Sequence, residues 1–115
     1  MVVLCSLSDR AAHRGTVYAT TMKPVGGMPL IECLRPTKEL VYGVKYRGYS
    51  DEWYDDKYRA LLASRWPAVK AWLATLTPET DVTLICYCRR GAYCHRHLIA
   101  RMLAKHRPDL TLEVR

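Results

Sequence analysis

The stretch Val82-Thr83-Leu84-Ile85-Cys86 decides the fold, together with the loop and helix that come after it. A nearly continuous apolar run of this kind is typical of a strand buried on both faces, which favours a central strand of a parallel sheet. After a polar loop, the apolar side chains of residues 98–103 fall on one face of a helix. Residues 111–114 alternate as a strand does, so this part of the chain predicts a C-terminal βαβ unit.

The N-terminal half predicts further strands. Residues 2–6 form an apolar run with β-branched side chains, which indicates a buried first strand. Residues 16–22 predict a second strand, and residues 30–34 are another candidate. Residues 39–50 alternate Tyr with basic side chains, which favours an amphipathic strand or loop with Tyr packed on one side.

Two helices are predicted between these segments and the C-terminal unit. Ser50 can cap the first, in which apolar side chains recur with helical spacing from Tyr54 to Leu62. Pro67 suits the first turn of the second helix. A length of 115 residues fits one domain. We therefore expect residues 1–115 to form a small single α/β domain, a mostly parallel sheet with flanking helices.

Charge and hydropathy limit the partners. The net charge is +7, from 18 Lys and Arg against 11 Asp and Glu. It favours an anionic small molecule or nucleic acid, although a basic surface also aids solubility. No apolar run approaches the ~20 residues that span a membrane, and the first residues do not resemble a signal peptide. We expect a cytoplasmic protein without membrane contact, whose Tyr and Trp side chains would also suit a homodimer interface.

The loop between the apolar strand and the last helix, residues 86–97, is rich in Cys, Arg and His. Ligands of α/β folds bind beyond the carboxyl ends of strands, at helix N-termini that attract anions and stabilise thiolates. Cys94 stands where the helix should begin and is the best candidate for a reactive thiol. If the strand continues through Cys88, Cys86 and Cys88 point to the same face and could share one pocket with Cys94.

The first interpretation of this loop is a cysteine-dependent enzyme without a cofactor. A thiolate of Cys94 or Cys88 would be the nucleophile, with His95 or His97 as its base. The basic side chains of the loop would hold a phosphate or carboxylate of the ligand. They are Arg89, Arg90, Arg96 and His97.

A second interpretation is a metal site. Cys86, Cys88, Cys94 and His95 (or His97) are enough soft ligands for tetrahedral zinc. A Cys-x-Cys pair on a strand is, however, less usual than a Cys-x-x-Cys knuckle.

A third interpretation is a non-enzymatic basic protein that binds nucleic acid or a host protein. The charge and the Tyr and basic side chains of residues 42–49 favour it. Cys5, Cys33 and Cys86 are most simply small buried hydrophobic residues.

Residues 82–103, especially Leu84-Ile85-Cys86 followed by Cys94-His95-Arg96, resemble the C-terminal signature of the domain of unknown function 488 family. That family ends in an apolar strand with a Cys, a short variable loop, a Cys-His-Arg triplet and a helix. The resemblance is good over residues 53–115 and weak before them. It implies the fold and a site at Cys86, Cys94, His95 and Arg96, but no settled reaction. The chain is short for the family. We expect a trimmed variant of the kind that compact viral genomes, such as those of phages, often carry.

The loop also resembles a second group of proteins. The order strand, Cys-Arg-x-Gly, helix from Cys88 to Gly91 is similar to the active loop of rhodaneses, in which a single Cys carries sulfur. Tyr93 stands where that loop would have an Arg.

Overall fold

A parallel sheet forms the centre of the protein. The computed structural model describes residues 1–88 and 94–115. The strands within them are β1 (Val2–Ser6), β2 (Thr16–Ala19), β3 (Val82–Cys86) and β4 (Leu112–Val114). Their order is β2-β3-β1-β4, and every pairing between them is parallel. The central pair runs in register from Val2 opposite Val82 to Ser6 opposite Cys86, which confirms the predicted central parallel strand.

Helices connect these strands. The α-helices of the described part are α1 (Lys38–Arg47), α2 (Asp51–Ser64), α3 (Trp66–Leu73) and α4 (His95–His106). Two short 3-10 helices cover Arg10–Ala12 and Glu32–Leu34. The C-terminal βαβ unit is present as β3, α4 and β4, with β4 paired to β1, so the connection crosses over one strand. No helix of the described residues is both long and apolar enough to cross a membrane.

Local signals explain the helices that the sequence predicts. The Ser50 side chain accepts a hydrogen bond from the Trp53 backbone N–H at 3.1 Å and so caps α2. Asp51 and Glu52 lie in the first turn of α2, where the helix dipole favours negative charge. A proline, Pro67, stands in the first turn of α3, where no backbone donor is needed.

The hydrophobic core covers both faces of the sheet. On one face, Leu4 and Leu84 pack against buried side chains of the helices, among them Tyr58 and Leu103. On the other face, a smaller cluster of Val3, Cys5, Ala12, Ala19 and Ile85 is covered partly by Met1, Leu7, Val17, Val25, Met28 and Leu30. Burial on both faces accounts for the nearly unbroken apolar sequences of β1 and β3.

Two N-terminal predictions are wrong. Residues 39–50 do not form a strand or loop; most of them lie in α1, which Thr37 caps by accepting from the Leu40 N–H at 3.3 Å. Gly48 ends α1 with a left-handed φ of 68°, a conformation that costs glycine little. Residues 30–34 are not a strand either, since only Leu30 bridges to the sheet before the short 3-10 helix begins.

Candidate functional site

The candidate site lies at the carboxyl edge of the sheet. β3 ends at Cys86, β2 leads directly into Thr20, and Cys94 precedes the first residue of α4. Thr20 stays attached to β3, because its backbone N–H donates to the Ile85 carbonyl at 3.0 Å. The sheet therefore brings residues that are far apart in the sequence to one corner, at the position that open α/β sheets use for ligands.

Three cysteine sulfurs converge at this corner. The Sγ atoms of Cys86, Cys88 and Cys94 all lie within 4.8 Å of one another. Cys94 and Cys86 are in direct contact, with 3.1 Å between their sulfurs. The shared pocket was predicted from a strand that continues through Cys88, but β3 stops at Cys86. The sulfurs converge nevertheless, with Cys88 in the loop after the strand. All five cysteines are free thiols.

Arg96 supplies a positive charge beneath this cluster. Its side chain is only 1% exposed, and one guanidinium nitrogen donates to Cys86 Sγ at 3.0 Å and to the Cys88 carbonyl at 3.4 Å. Burial by itself would lower the pKa of Arg96, but the bond to Cys86 and the nearby sulfurs raise it, so the guanidinium stays charged. The contact of Arg96 with Cys86 favours the thiolate form of that cysteine.

His95 connects the cluster to β2. Its Nε2 lies 2.8 Å from the Thr20 carbonyl oxygen, which can only accept, so Nε2 carries the hydrogen. The other ring nitrogen, Nδ1, then carries no hydrogen and lies 3.4 Å from Cys94 Sγ. Burial lowers the pKa of His95, which is therefore a neutral imidazole near neutral pH. A neutral, hydrogen-free Nδ1 beside a thiol is a proton acceptor.

The negative charge of the cluster falls on Cys86. Hydrogen bonds from the Cys88 and Cys94 thiols lower the pKa of Cys86 far below its usual value. Hydrogen bonds with Cys86 and with Cys88, together with burial, raise the pKa of Cys94, and the bond to Cys86 raises the pKa of Cys88. The helix N-terminus was expected to lower the pKa of Cys94; the structure instead gives the low-pKa thiol to Cys86, because three adjacent sulfurs cannot all ionise.

A cleft of about 630 Å³ opens beside the cluster. Cys88, Cys94 and His95 are among the residues that line it. Its walls come from α1, from Tyr54 on α2, and from the segments after β2 and β3. The wall residues with aromatic or charged side chains are Lys23, Tyr42, Lys45, Tyr46, Tyr54 and Tyr87. Tyr46 is 68% exposed and Tyr87 58%, so aromatic surface faces solvent at the cleft.

The predicted site residues divide into three groups. Cys86, Cys88, Cys94, His95 and Arg96 come together at this corner of the sheet. His97 is half-buried, and it is not among the described residues that line the cleft. Arg89 and Arg90, the other predicted anion anchors, lie outside the described residues, as do Gly91 and Tyr93.

Sequence reasoning missed the contribution of β2 and of the segment after it: Thr20 sets the tautomer of His95, and Lys23 lines the cleft. Tyr42, Lys45 and Tyr46 of the cleft belong to the Tyr and basic stretch that favoured a binding protein, and Tyr87 lies within the predicted loop. Thr20 comes directly after a β-branched segment. Because the carboxyl ends of parallel strands share one edge of the sheet, this position indicates that Thr20 lies near the end of β3.

The cysteine cluster has the donor set of a metal site. Zinc takes thiolate ligands at about 2.3 Å, and three sulfurs within 4.8 Å of one another can surround such an ion. Nδ1 of His95 is a nitrogen donor beside these sulfurs, at 3.4 Å from Cys94 Sγ. The residues that would hold the ion are thus Cys86, Cys88, Cys94 and His95, as the zinc interpretation expects. A cation there would compete with the Arg96 guanidinium for Cys86.

The fold and the site together define a small parallel α/β protein with a cysteine cluster at the carboxyl edge of its sheet. The chain belongs to the domain of unknown function 488 family: the family model described as "Active DUF488-N3 subclade" matches residues 3–107. The match confirms the resemblance and extends it into the N-terminal half. Comparisons with curated proteins and with solved structures gave no match.

Proposed function

We propose that the chain is a cysteine-dependent enzyme that binds an anionic, nucleotide-like ligand in the cleft and attacks it with the Cys94 thiol. One observation carries this proposal. Cys88, Cys94 and His95 line the same cleft as the exposed tyrosines and lysines, so a bound ligand would contact both groups of residues.

Cys94 is the nucleophile best placed for this chemistry. The Cys94 S–H donates to Cys86 in the resting arrangement, and a rotation about the Cβ–Sγ bond points it instead to the hydrogen-free Nδ1 of His95, 3.4 Å from the sulfur, which can take the proton as an attack begins. The bond from Nε2 to the Thr20 carbonyl keeps the ring in the orientation and tautomer that this transfer requires. Cys86 is fully buried, whereas Cys94 lines the cleft despite its low exposure of 3%.

The walls of the cleft support a ligand with an aromatic part and an anionic part. Tyr42, Tyr46 and Tyr87 offer ring faces for a planar group. Lys23 and Lys45 add positive charge at the same cleft, which suits a phosphate or carboxylate. A mononucleotide combines both parts, and a cleft of about 630 Å³ lies within the usual range of small-molecule sites.

Protection from alkylation by AMP tests the proposal. Because the pKa values of Cys88 and Cys94 are raised, the labelling is run at alkaline pH, where we expect iodoacetamide to label both and AMP to slow that labelling more than adenosine or inorganic phosphate does. Cys33 is partly exposed and is not among the described residues that line the cleft, so it is an internal reference that AMP should not protect. Lys45→Ala should weaken AMP binding severalfold, while Lys70→Ala, an exposed lysine on α3, should not.

Two outcomes would contradict the proposal. Equal labelling with and without AMP, together with no heat of AMP binding by calorimetry, would exclude a nucleotide-like ligand in the cleft. Binding of AMP with no detectable alkylation of Cys94 in the folded protein would remove the nucleophile and favour a non-enzymatic binding protein.

The convergence of the three sulfurs also supports a second candidate, a zinc site at Cys86, Cys88, Cys94 and His95. Protein purified without chelator would then contain one zinc per chain by elemental analysis. Cys94→Ala should remove the metal, while Cys33→Ala should not. A metal-free protein that gains no thermal stability from added zinc would exclude this candidate.

A further inference from the structure

We infer that Cys94 and Cys86 form a redox-active dithiol, which reduces a low-molecular-weight disulfide that enters the cleft and becomes an intramolecular disulfide itself. This activity goes beyond the proposed action on a nucleotide-like ligand and does not depend on that ligand class. It uses the same thiol at the cleft, with a second thiol directly behind it.

The arrangement of the two sulfurs carries the inference. They lie 3.1 Å apart, and a disulfide bond of about 2.05 Å would need them to approach by only about 1 Å. Cys94 lines the cleft, whereas Cys86 is 0% exposed. An incoming disulfide can therefore reach Cys94 but not Cys86. Cys86 is in direct contact with Cys94, while Cys88, which also lines the cleft, lies within 4.8 Å of both sulfurs.

Access from the cleft assigns the order of the two steps, since Cys94 lines the cleft and Cys86 is buried behind it, and one charged or polar group contacts each sulfur. Arg96 donates to Cys86 Sγ at 3.0 Å, which keeps a nucleophilic thiolate on the buried side. His95 Nδ1 lies at 3.4 Å from Cys94 Sγ and can take the Cys94 proton. The first attack thus belongs to Cys94 and the second to Cys86.

Atoms and electrons balance over the two exchange steps. Cys94 gives its proton to His95 and its sulfur attacks the disulfide RSSR; a Cys94–S–S–R bond forms, the RS–SR bond breaks, and RS⁻ leaves with the proton from His95 as RSH. The Cys86 thiolate then attacks Cys94 Sγ, the Cys86–Cys94 bond forms, and a second RS⁻ leaves. The two cysteines are oxidised by two electrons, and RSSR is reduced to one thiol, RSH, and one thiolate, RS⁻, which takes a proton from solvent.

The remaining cysteines provide controls. Cys5 packs among the apolar side chains on the opposite face of the sheet, and Cys33 packs against the helix-side core. Cys88 lies within 4.8 Å of both reacting sulfurs and is the one competing partner within the cluster. The experiment must therefore distinguish a Cys86–Cys94 bond from a bond to Cys88.

Oxidised glutathione is the probe. Incubation of the full chain should give a protein whose peptide map contains a Cys86–Cys94 disulfide and no stable glutathione adduct. Cys86→Ala should trap glutathione on Cys94 as a mixed disulfide, and Cys94→Ala should abolish both products. Cys33→Ala and Cys88→Ala should still form the Cys86–Cys94 bond.

Several results would overturn the inference. These are a stable adduct on Cys94 of the wild type, a map that shows only Cys88–Cys94, or a bound metal that blocks all exchange. If Cys86→Ala does not fold, the wild-type map still decides. If the Cys86–Cys94 disulfide does not form but AMP still protects the cleft cysteines from alkylation, the dithiol alone is refuted. If the disulfide forms but AMP gives no protection, the proposed ligand alone is refuted.

Discussion

Replacing Arg96 by Met tests whether the Arg96 guanidinium stabilises the thiolate form of Cys86. Met keeps the apolar length of the side chain but removes the charge that faces Cys86 at 3.0 Å. A hydrogen bond to a charged group is worth about 1.5–3 kcal/mol, and about 1.4 kcal/mol corresponds to one pKa unit. We therefore expect the pKa of Cys86 to rise by about 1–2 units. The cost to folding should be about 1.5–3 kcal/mol, because Cys86 can take up a proton and so avoid an unpaired buried charge.

Thiolate absorbance in the ultraviolet measures this change. The pKa values of Cys5, Cys33, Cys88 and Cys94 are all raised, so near neutral pH the wild type should hold one thiolate, at Cys86. An acid titration should lose that signal at a higher pH in the Arg96→Met variant.

Arg101→Met is the matched control for this experiment. Arg101 lies on the same helix, has a side chain that is 57% exposed, and makes a surface contact of 3.8 Å with Asp55. Its substitution should move neither the absorbance titration nor the urea midpoint appreciably. A folded Arg96→Met protein with an unchanged thiolate titration would refute the assignment of charge to Cys86.

Three other substitutions have defined outcomes. The pKa of His95 is lower in the folded protein than its unfolded value of about 6.5, which stabilises the fold at pH values above about 6.5. This stabilisation is lost as the pH falls through the folded pKa. His95→Gln should therefore flatten the decline of the free energy of unfolding with falling pH, measured in urea melts, by up to about 1.4 kcal/mol per pH unit. Tyr58→Phe should cost about 1–3 kcal/mol, because the Leu34 carbonyl loses its 2.7 Å bond from the Tyr58 hydroxyl. Gly43→Ala should destabilise the contact of α1 with α2, since a Cβ would lie 2.7 Å from the Trp53 ring, and a higher melting temperature would contradict this.

The elements that sequence predicts correctly are those whose pattern is set by local burial or capping. β1 and β3 are buried along their whole length, so each residue of these strands is apolar or small. The start of α2 is marked by Ser50 and two acidic residues, which act within one turn. Such signals need no knowledge of the rest of the chain.

α1 was missed because its alternating tyrosines suggested a period of two. The helix signals were present, in Thr37 as cap, Glu39 in the first turn, Lys45 near the end and Gly48 beyond it. Tyr42 and Tyr46 are in fact spaced by one helical turn, and their ring centroids lie 5.2 Å apart. Cap residues at both ends therefore carried more information here than the alternation of side chains.

The candidate site shows the limit of local reasoning most clearly. The period-two argument brought Cys86 and Cys88 together, and the sulfurs do converge, yet nothing within the loop indicates which sulfur is ionised. That property depends on Arg96, which reaches back to Cys86 from α4. It also depends on three thiols sharing one negative charge, which only their spatial arrangement can determine.

The tautomer of His95 depends on contacts that are even more remote in sequence. Its Nε2 is fixed by the carbonyl of Thr20, which β2 holds beside β3 through the Ile85 carbonyl. Because Nε2 must donate there, Nδ1 must accept, and the nitrogen that accepts is the one beside Cys94. The proton acceptor for the cleft thiol is therefore positioned by the pairing of two strands. It follows that a substitution which shifts the end of β2 should reduce the reactivity of Cys94 without touching the loop that contains it.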